Sequence, residues 1–413
     1  MPTMSSPPLR PVVVGGDIGA YGSARAFHEA YGVATVVLAG VSTGAVAHSV
    51  AVDHRVIADL DDDDVLVAAI RAVAAEQPGV PHLVLGSADQ AVHALVRVRD
   101  RLTEGTAVVV PYAEAAAMAD VTTKAGFSRL CAQLGLPHPR THVLRVGTDQ
   151  VPADVTYPAV VKASSSAQFH DIEFEGKRKV AYVADADELD ALVTTMAAAG
   201  FGGEVVVQEK IPGGDEDMAA VNAFCSTDGE VRFLLLGQVL LEEATPNGLG
   251  NSVAQITGGD RAHDDAVEHA RRLLEHIGWT WFANLDLKRD PRDGRYLFLE
   301  LNPRVGRSGY AVTAAGYSVA RMYGDAVLGE KALDGGAVGP PVVGENEHLF
   351  TVVPLALLRR YVSAETWASV RRLRRARAVT NLFYYDAERS PRRWAYIASA
   401  MVNQFRKFRR WHA

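Results

Sequence analysis

Two carboxylates and an amide, Asp286, Glu300 and Asn302, sit in the stretches "FANLDLK" and "RYLFLELNPRVGRSGY". Both stretches alternate as strands do, with successive side chains on opposite faces. Asn284, Asp286 and Lys288 therefore share one face of the first segment, and Phe298, Glu300 and Asn302 share one face of the second. The turn "PRDGR" joins them into a hairpin. Such a hairpin gathers hard oxygen donors of the kind magnesium takes together with nucleotide phosphates. The same pattern also suits the water-facing side of an antiparallel hairpin. Lys162 ends the apolar run "YPAVVK" just ahead of "ASSSAQF", and Lys124 opens an earlier helix. An ammonium at a strand end can hold phosphate oxygens, and exposed N–H groups of the following turn add donors. Arg304 and Arg307 follow the second strand; arginine grips a carboxylate or phosphate as a planar fork.

The elements that must position these residues fall into two styles. From "RPVVVGGDIGAYGSARAFHEAYG" through "AVVVPY" the chain alternates strand and helix, which predicts a parallel sheet covered by helices over 1–120. The second style is α+β and largely antiparallel. A helix after "DVTTKAGF" stops at Gly135, strands follow at "YPAVVK", "RKVAYV" and "EVVVQEKIPGG", and a helix intervenes at "ADADELDALVTTMAAAG". This gives a small lobe over 121–205, a larger lobe over 206–343 and a basic extension over 344–413.

The glycines at 15, 16, 19 and 22 permit close backbone approach at a sheet's carboxyl edge. They do not spell the dinucleotide fingerprint G-x-G-x-x-G, which argues against an oxidoreductase and for substrate binding by Asp17, Ser23 and Asp89. The competing reading for these three is ordinary helix N-capping. Trp279 and Trp281 read as core residues, and the histidines show no metal-ligand spacing.

Composition excludes several classes. The 413 residues are 48% hydrophobic and 22% charged, with two distant cysteines, so a disulfide scaffold or zinc site is not expected and a reducing cytoplasm suits the chain. "MPTMSSPPLRP" reads as a floppy tail without a secretory pattern, and no apolar run is long enough to span a bilayer. The net charge of −7 is uneven: residues 359–413 carry 14 Lys/Arg against three acids, or +11, leaving −18 elsewhere. A basic tail can attract phosphates, acidic lipids or nucleic acid, or simply form a solvated helix face.

The order Lys124, Lys162, "QEKI", Asp286 and Glu300-x-Asn302 resembles the ATP-grasp superfamily over about residues 120–320. The longer motifs at both ends, with the tail "LFYYDAERSPRRWAYIASAMVNQFRKFRR", resemble the bacterial D-aspartate ligase group of carboxylate–amine ligases. The resemblance implies an ATP-grasp fold behind a Rossmann-like domain. It also implies ATP with magnesium, or manganese in its place. By motif, Lys124, Lys162 and the loop serines Ser164, Ser165 and Ser166 would meet the phosphates. Backbone groups of Gln208, Glu209, Lys210 and Ile211 would meet the adenine edge, and Asp215 the ribose. Asp286, Glu300 and Asn302 would hold the metal, Arg304 the transferring phosphoryl group, and Arg307 with Ser308 the substrate carboxylate. One departure is that the phosphate-covering loop is "SSSAQF" rather than glycine-rich.

The implied reaction is amide formation between a small carboxylate and an amine, with a phosphorylated sugar–peptide of cell-wall synthesis as the acceptor. Another amino acid, peptide or natural product is the alternative, and a nucleotide-binding regulator without turnover is a further one. Nucleic acid is not expected as a partner, peripheral membrane contact through the tail is a second role for it, and oligomeric state stays open.

Overall fold

Val12, Val13 and Val14 are all buried because their strand, Arg10–Val14 (β1), lies inside a sheet covered on both faces. In this computed structural model the described residues are 8–165, 169, 172–245, 248, 250–329 and 340–412. Ser166 and the first seven residues lie outside them. β1 is followed by Thr35–Ala39 (β2), Val52–Val56 (β3), His82–Gly86 (β4) and Val108–Val109 (β5). These strands are parallel in the order β3-β2-β1-β4-β5, with Val12 opposite both Val36 and Val84. The order reverses between β1 and β4, the position at which open α/β sheets bind ligands beyond their carboxyl ends.

Four more strands form a smaller antiparallel sheet: Thr141–Arg145 (β6), Ala159–Ala163 (β7), Ala181–Val183 (β8) and Glu204–Glu209 (β9). Their order is β6-β9-β7-β8. In β7 the alternation turns Ala159, Val161 and Ala163 into a core shared with Leu144, Leu189, Val205 and Val207. Val160 and Lys162 are thereby left on the opposite face. The helix Lys124–Leu134 starts on a Thr123 cap, whose hydroxyl accepts the Gly126 N–H at 3.0 Å, and ends at left-handed Gly135.

The remaining strands are Met218–Cys225 (β10), Val231–Glu242 (β11), Ser252–Thr257 (β12), Trp281–Arg289 (β13), Tyr296–Asn302 (β14), Val342–Val343 (β15), His348–Thr351 (β16) and Val379–Asn381 (β17). Packing divides the chain into two units. The first comprises the described parts of Met1–Ala115, Ala220–Asn284 and Pro303–Ala413; the second comprises Ala116–Ala219 and Leu285–Asn302. Within the first, β10, β11, β12, β16 and β17 are successive neighbours and β15 joins β11. Within the second, β14 lies beside the latter half of β13.

The basic extension belongs to the first unit. Ile397, Met401 and Phe408 of its last helix, Pro391–Trp411, are buried in the same core as Tyr21, Phe27 and Phe350. Arg393 is fully buried: its Nη1 donates to the carbonyls of Gly44, Ala45 and Ala47, and its guanidinium lies 4.3 Å from the Tyr21 ring centroid. Buried Glu388 sits 3.6 Å from it and accepts from the Ser49 hydroxyl and the Val50 N–H. Trp279 is buried, with its indole N–H donating to the Phe282 carbonyl, and Trp281 stacks on Tyr323. Both cysteines are free and buried, and burial pushes each thiol up to about 12.

Candidate active site

In the second unit, the lysine-bearing helix and the carboxylate-bearing strand are brought together by backbone bonds. The Ser164 carbonyl accepts the Lys124 N–H at 3.3 Å, and the buried Ser164 hydroxyl accepts the Ala125 N–H at 3.2 Å. The end of β7 is thus tied to the start of the helix, while the hydroxyl keeps its own hydrogen to donate. On the other side the Phe298 N–H of β14 bonds the Pro137 carbonyl just beyond that helix. Lys124 Nζ consequently lies 3.4 Å from a Glu300 carboxylate oxygen.

Glu300 and Asp286 are within hydrogen-bonding reach of each other, and the Asn302 amide donates to Asp286 at 3.1 Å. Burial by itself would raise the Glu300 carboxyl, but Lys124, Lys162 and Lys179 hold it well below the usual range. Lys162 feels the converse. Burial depresses its pKa, Lys124 and Lys179 depress it further, and Glu300 and Asp286 only partly compensate. Three ammonium groups acting on two adjoining carboxylates can meet an anion through the first and a cation through the second.

Two touching carboxylates and an amide oxygen form a hard-oxygen donor set that fits magnesium, which keeps waters or phosphates for the rest of its shell. Among the described residues no group of three or more His, Cys, Asp or Glu side chains is placed to hold a metal, so any such site relies on the amide.

The connector after β9 has part of its backbone engaged. The Glu209 N–H bonds the Arg140 carbonyl, and the Lys210 N–H bonds the Pro158 carbonyl. Gln208 is buried in the sheet, paired with Thr141 and Val160. Of the donors expected at an adenine edge, that leaves the N–H of Ile211. The Lys210 ammonium lies over the Tyr182 ring, at 5.1 Å. Asp215 opens a short 3-10 turn, Asp215–Asp217, next to Gly213, whose carbonyl accepts from Lys288 at 3.0 Å. Ser165 follows Ser164 and accepts the Phe169 N–H through its carbonyl.

The first unit gathers a second cluster at the carboxyl ends of β1 and β4, where the sheet order reverses. Asp17 caps the helix Ile18–Tyr31, accepting the Ala20 N–H at 3.0 Å, and also lies 3.3 Å from Arg307 Nε. Asp89 is the first residue of the helix Asp89–Arg97 and meets Arg304, Nε to Oδ1 at 2.7 Å and Nη2 to Oδ2 at 3.2 Å. Ser308 offers its carbonyl to the Ala311 N–H and to Gln255. Ser23 is half-buried within the helix Ile18–Tyr31, away from its cap. Two residues here escaped the sequence reading. Lys179 adds positive charge near Glu300, its only signal being the basic run before β8. Tyr112, buried beside the Arg304–Asp89 pair, accepts the Gly86 N–H at 2.6 Å, and burial raises its hydroxyl pKa.

No family model matches the chain. It is 28% identical over 411 residues to the D-aspartate ligase of Enterococcus faecium, covering 97% of this chain and 96% of that protein. The crystal structure of an N5-carboxyaminoimidazole ribonucleotide synthetase bound to ADP matches 84% of this chain and 81% of its own at a TM-score of 0.57 and 15% identity. A biotin carboxylase from Campylobacter jejuni matches 83% and 74% at 0.58 and 13% identity. The chain has the ATP-grasp fold. An L-amino acid ligase from Bacillus licheniformis shares this ATP-grasp fold at a TM-score of 0.53 and 15% identity, over 78% of this chain and 75% of its own. A carbamoyl phosphate synthase section from Methanopyrus kandleri is 24% identical over 244 residues, covering 54% of this ATP-grasp chain and 42% of that protein.

Proposed function

We propose that this ATP-dependent carbon–nitrogen ligase forms an amide bond through an acyl phosphate, with D-aspartate as the acid and a peptidoglycan precursor as the amine. The observation that carries the ATP half is the convergence of Lys124, Lys162 and Lys179 on Glu300 within one unit. The likeness to a D-aspartate ligase over nearly the whole chain supports the acid.

In the first step a carboxylate oxygen attacks the γ-phosphorus, ADP leaves, and the acid becomes an acyl phosphate. In the second, the amine attacks the acyl carbon, phosphate leaves and the amine loses its proton. Two anions must approach in the first step, so the chain's part is to supply positive charge already in position. Lys124 and Lys162 bind the triphosphate oxygens, with Ser164 and Ser165 adding donors from the loop. Ile211 presents its N–H and Lys210 its carbonyl to adenine, and Asp215 accepts from the ribose. Asp286, Glu300 and Asn302 would hold magnesium, or manganese in its place, which when bound neutralises phosphate charge. Arg304 stabilises the transferring phosphoryl group, and Arg307 with Ser308 orients the acid's carboxylate. Residues 121–205 serve as the phosphate-covering lobe and 206–343 as the metal-bearing one. Two buried free thiols suit a reducing cytoplasm.

Release of ADP should be measured across D- and L-amino acids, with and without muropeptide amines. Preference for D-aspartate together with an acceptor-dependent amide product is the expected result. Silence with every amino acid and every acceptor would remove this reading.

A further inference from the structure

The last helix, Pro391–Trp411, has one side in the core and the other toward water. The water side is not the polar surface a merely solvated helix would present. Val402 is 55% exposed there; Trp394, stacked on Tyr384 with its indole N–H donating to the Glu388 carbonyl, is 41% exposed, and Trp411, at the helix end, is 45% exposed. Interspersed with them are exposed Arg392, Arg406, Arg409 and Arg410, and the Arg410 guanidinium lies 4.9 Å from the Trp411 ring centroid.

Phe405 of this helix carries the Arg360 guanidinium over its ring, at 5.2 Å. Arg360 in turn lines a hollow of about 490 Å3 with Arg359, Arg374, Trp367, Leu355 and Ala356. Helix and hollow thus adjoin through one arginine. Other arginines of this region are neutralised: Arg372 pairs with Glu347 and Arg393 with Glu388. Among the described residues no carboxylate lies within ion-pair distance of Arg359, Arg360, Arg374, Arg406, Arg409 or Arg410.

Guanidinium groups without carboxylate partners in one region repel each other until an anion approaches. A free phosphate would satisfy them but leave Trp394, Val402 and Trp411 in water. A second copy of this face would set arginine against arginine. An anionic bilayer answers both halves. Indole rings settle at headgroup depth, guanidinium groups meet lipid phosphates, and their apolar stems follow the rings. No described helix is long and apolar enough to cross a membrane, so the contact is peripheral.

We propose that the exposed side of Pro391–Trp411, with the adjoining arginine hollow, docks this protein on an anionic lipid surface.

The test is sedimentation of the full chain with vesicles of phosphatidylcholine alone, or of phosphatidylcholine mixed with phosphatidylglycerol. The mixed vesicles should bind it at least about tenfold more tightly, and less so as salt rises. Each surface arginine lost should weaken binding roughly fivefold, so Arg406→Glu/Arg409→Glu/Arg410→Glu should lose about a hundredfold or more. Trp394→Ser/Trp411→Ser should also weaken vesicle binding while leaving titration by inorganic pyrophosphate unchanged. Melting temperature and ADP release in vesicle-free solution serve as controls for the fold. Equal binding to both vesicle types, or a triple variant that binds like the parent, overturns the proposal. So does a tryptophan variant unaffected on vesicles while pyrophosphate displaces the protein, which would mark a free-phosphate site. Self-association abolished by the triple variant would assign the face to a second copy and overturn it too.

Discussion

Lys162 illustrates how one side chain can report on its ligand. Its pKa lies below the ordinary 10.5 because burial and two neighbouring ammonium groups disfavour its charge. A bound triphosphate would favour that charge and raise the pKa again. Nucleotide affinity should therefore be constant below the free-state pKa and fall as pH climbs through it, before an ordinary lysine would titrate. Calorimetric titration with ATP from neutral to alkaline pH checks this, and Lys162→Arg should move the fall to higher pH. A profile that is flat in the parent protein would detach Lys162 from the phosphates. Arg304 makes a different prediction. Its fork is occupied by a half-exposed Asp89, a pair that contributes little to stability. Arg304→Ala should lower turnover by about tenfold or more with the melting temperature nearly unchanged. Normal amino-acid-dependent phosphate release in that variant would take the role away from it. The types and spacing of these residues were visible in the chain; the pairing of Arg304 with Asp89, 215 positions apart, was not.

At the scale of elements, the glycine motif and the segment after β14 fit into each other. Gly19 and Gly22, one helical turn apart, face Arg307 Cα and Tyr310 Cβ; a methyl on either would stand 3.2–3.5 Å from its nearest neighbours. Gly309 is tighter still, since a Cβ there would fall 1.7 Å from Val305 Cγ1. Its backbone is ordinary, so space and not φ demands glycine. Gly309→Ala should cost about 1–3 kcal/mol by overpacking, read from denaturant unfolding, and should reduce turnover by shifting Arg307. An unchanged midpoint would show that Val305 can yield. Glycines that follow a strand at a sheet's carboxyl edge suggest room for a ligand. Two of them make room for the protein's own chain, a use that cannot be told apart without knowing which segment comes near. Alternation was legible because a strand's period of two is local: it grouped Asp286 with Asn284 and Lys288 on one face of its strand, and Glu300 with Asn302 on one face of the next. The Ser164 bonds that bring Lys124 to them cross from strand to helix and leave no periodic trace.

At the scale of the whole molecule, two buried arginines hold the tail to the first sheet's surroundings, one from the helix Ile18–Tyr31 and one to the turn between β2 and β3. Arg25 donates to the carbonyls of Asn381, Leu382 and Tyr384, and Arg393 to those of Gly44, Ala45 and Ala47. Arg393→Met would leave Glu388 buried without its cation, at a cost of about 3–5 kcal/mol. The expected result is a large drop in melting temperature, recovered in part by adding Glu388→Gln. A variant as stable as the parent would mean that the carbonyl cage, not the charge, is what matters. By itself the sequence determined the strand and helix periods, the oxygen-rich hairpin, the absence of a dinucleotide fingerprint and the charge of the tail, because each is written within a few consecutive residues. Only the tertiary structure decided which of the tail's 14 basic side chains are buried and paired and which remain exposed. It also decided that Asp17 and Asp89 meet Arg307 and Arg304 where the parallel sheet reverses its order. Such contacts join residues hundreds of positions apart, and burial and pairing are properties of a neighbourhood that exists only after the chain has closed on itself.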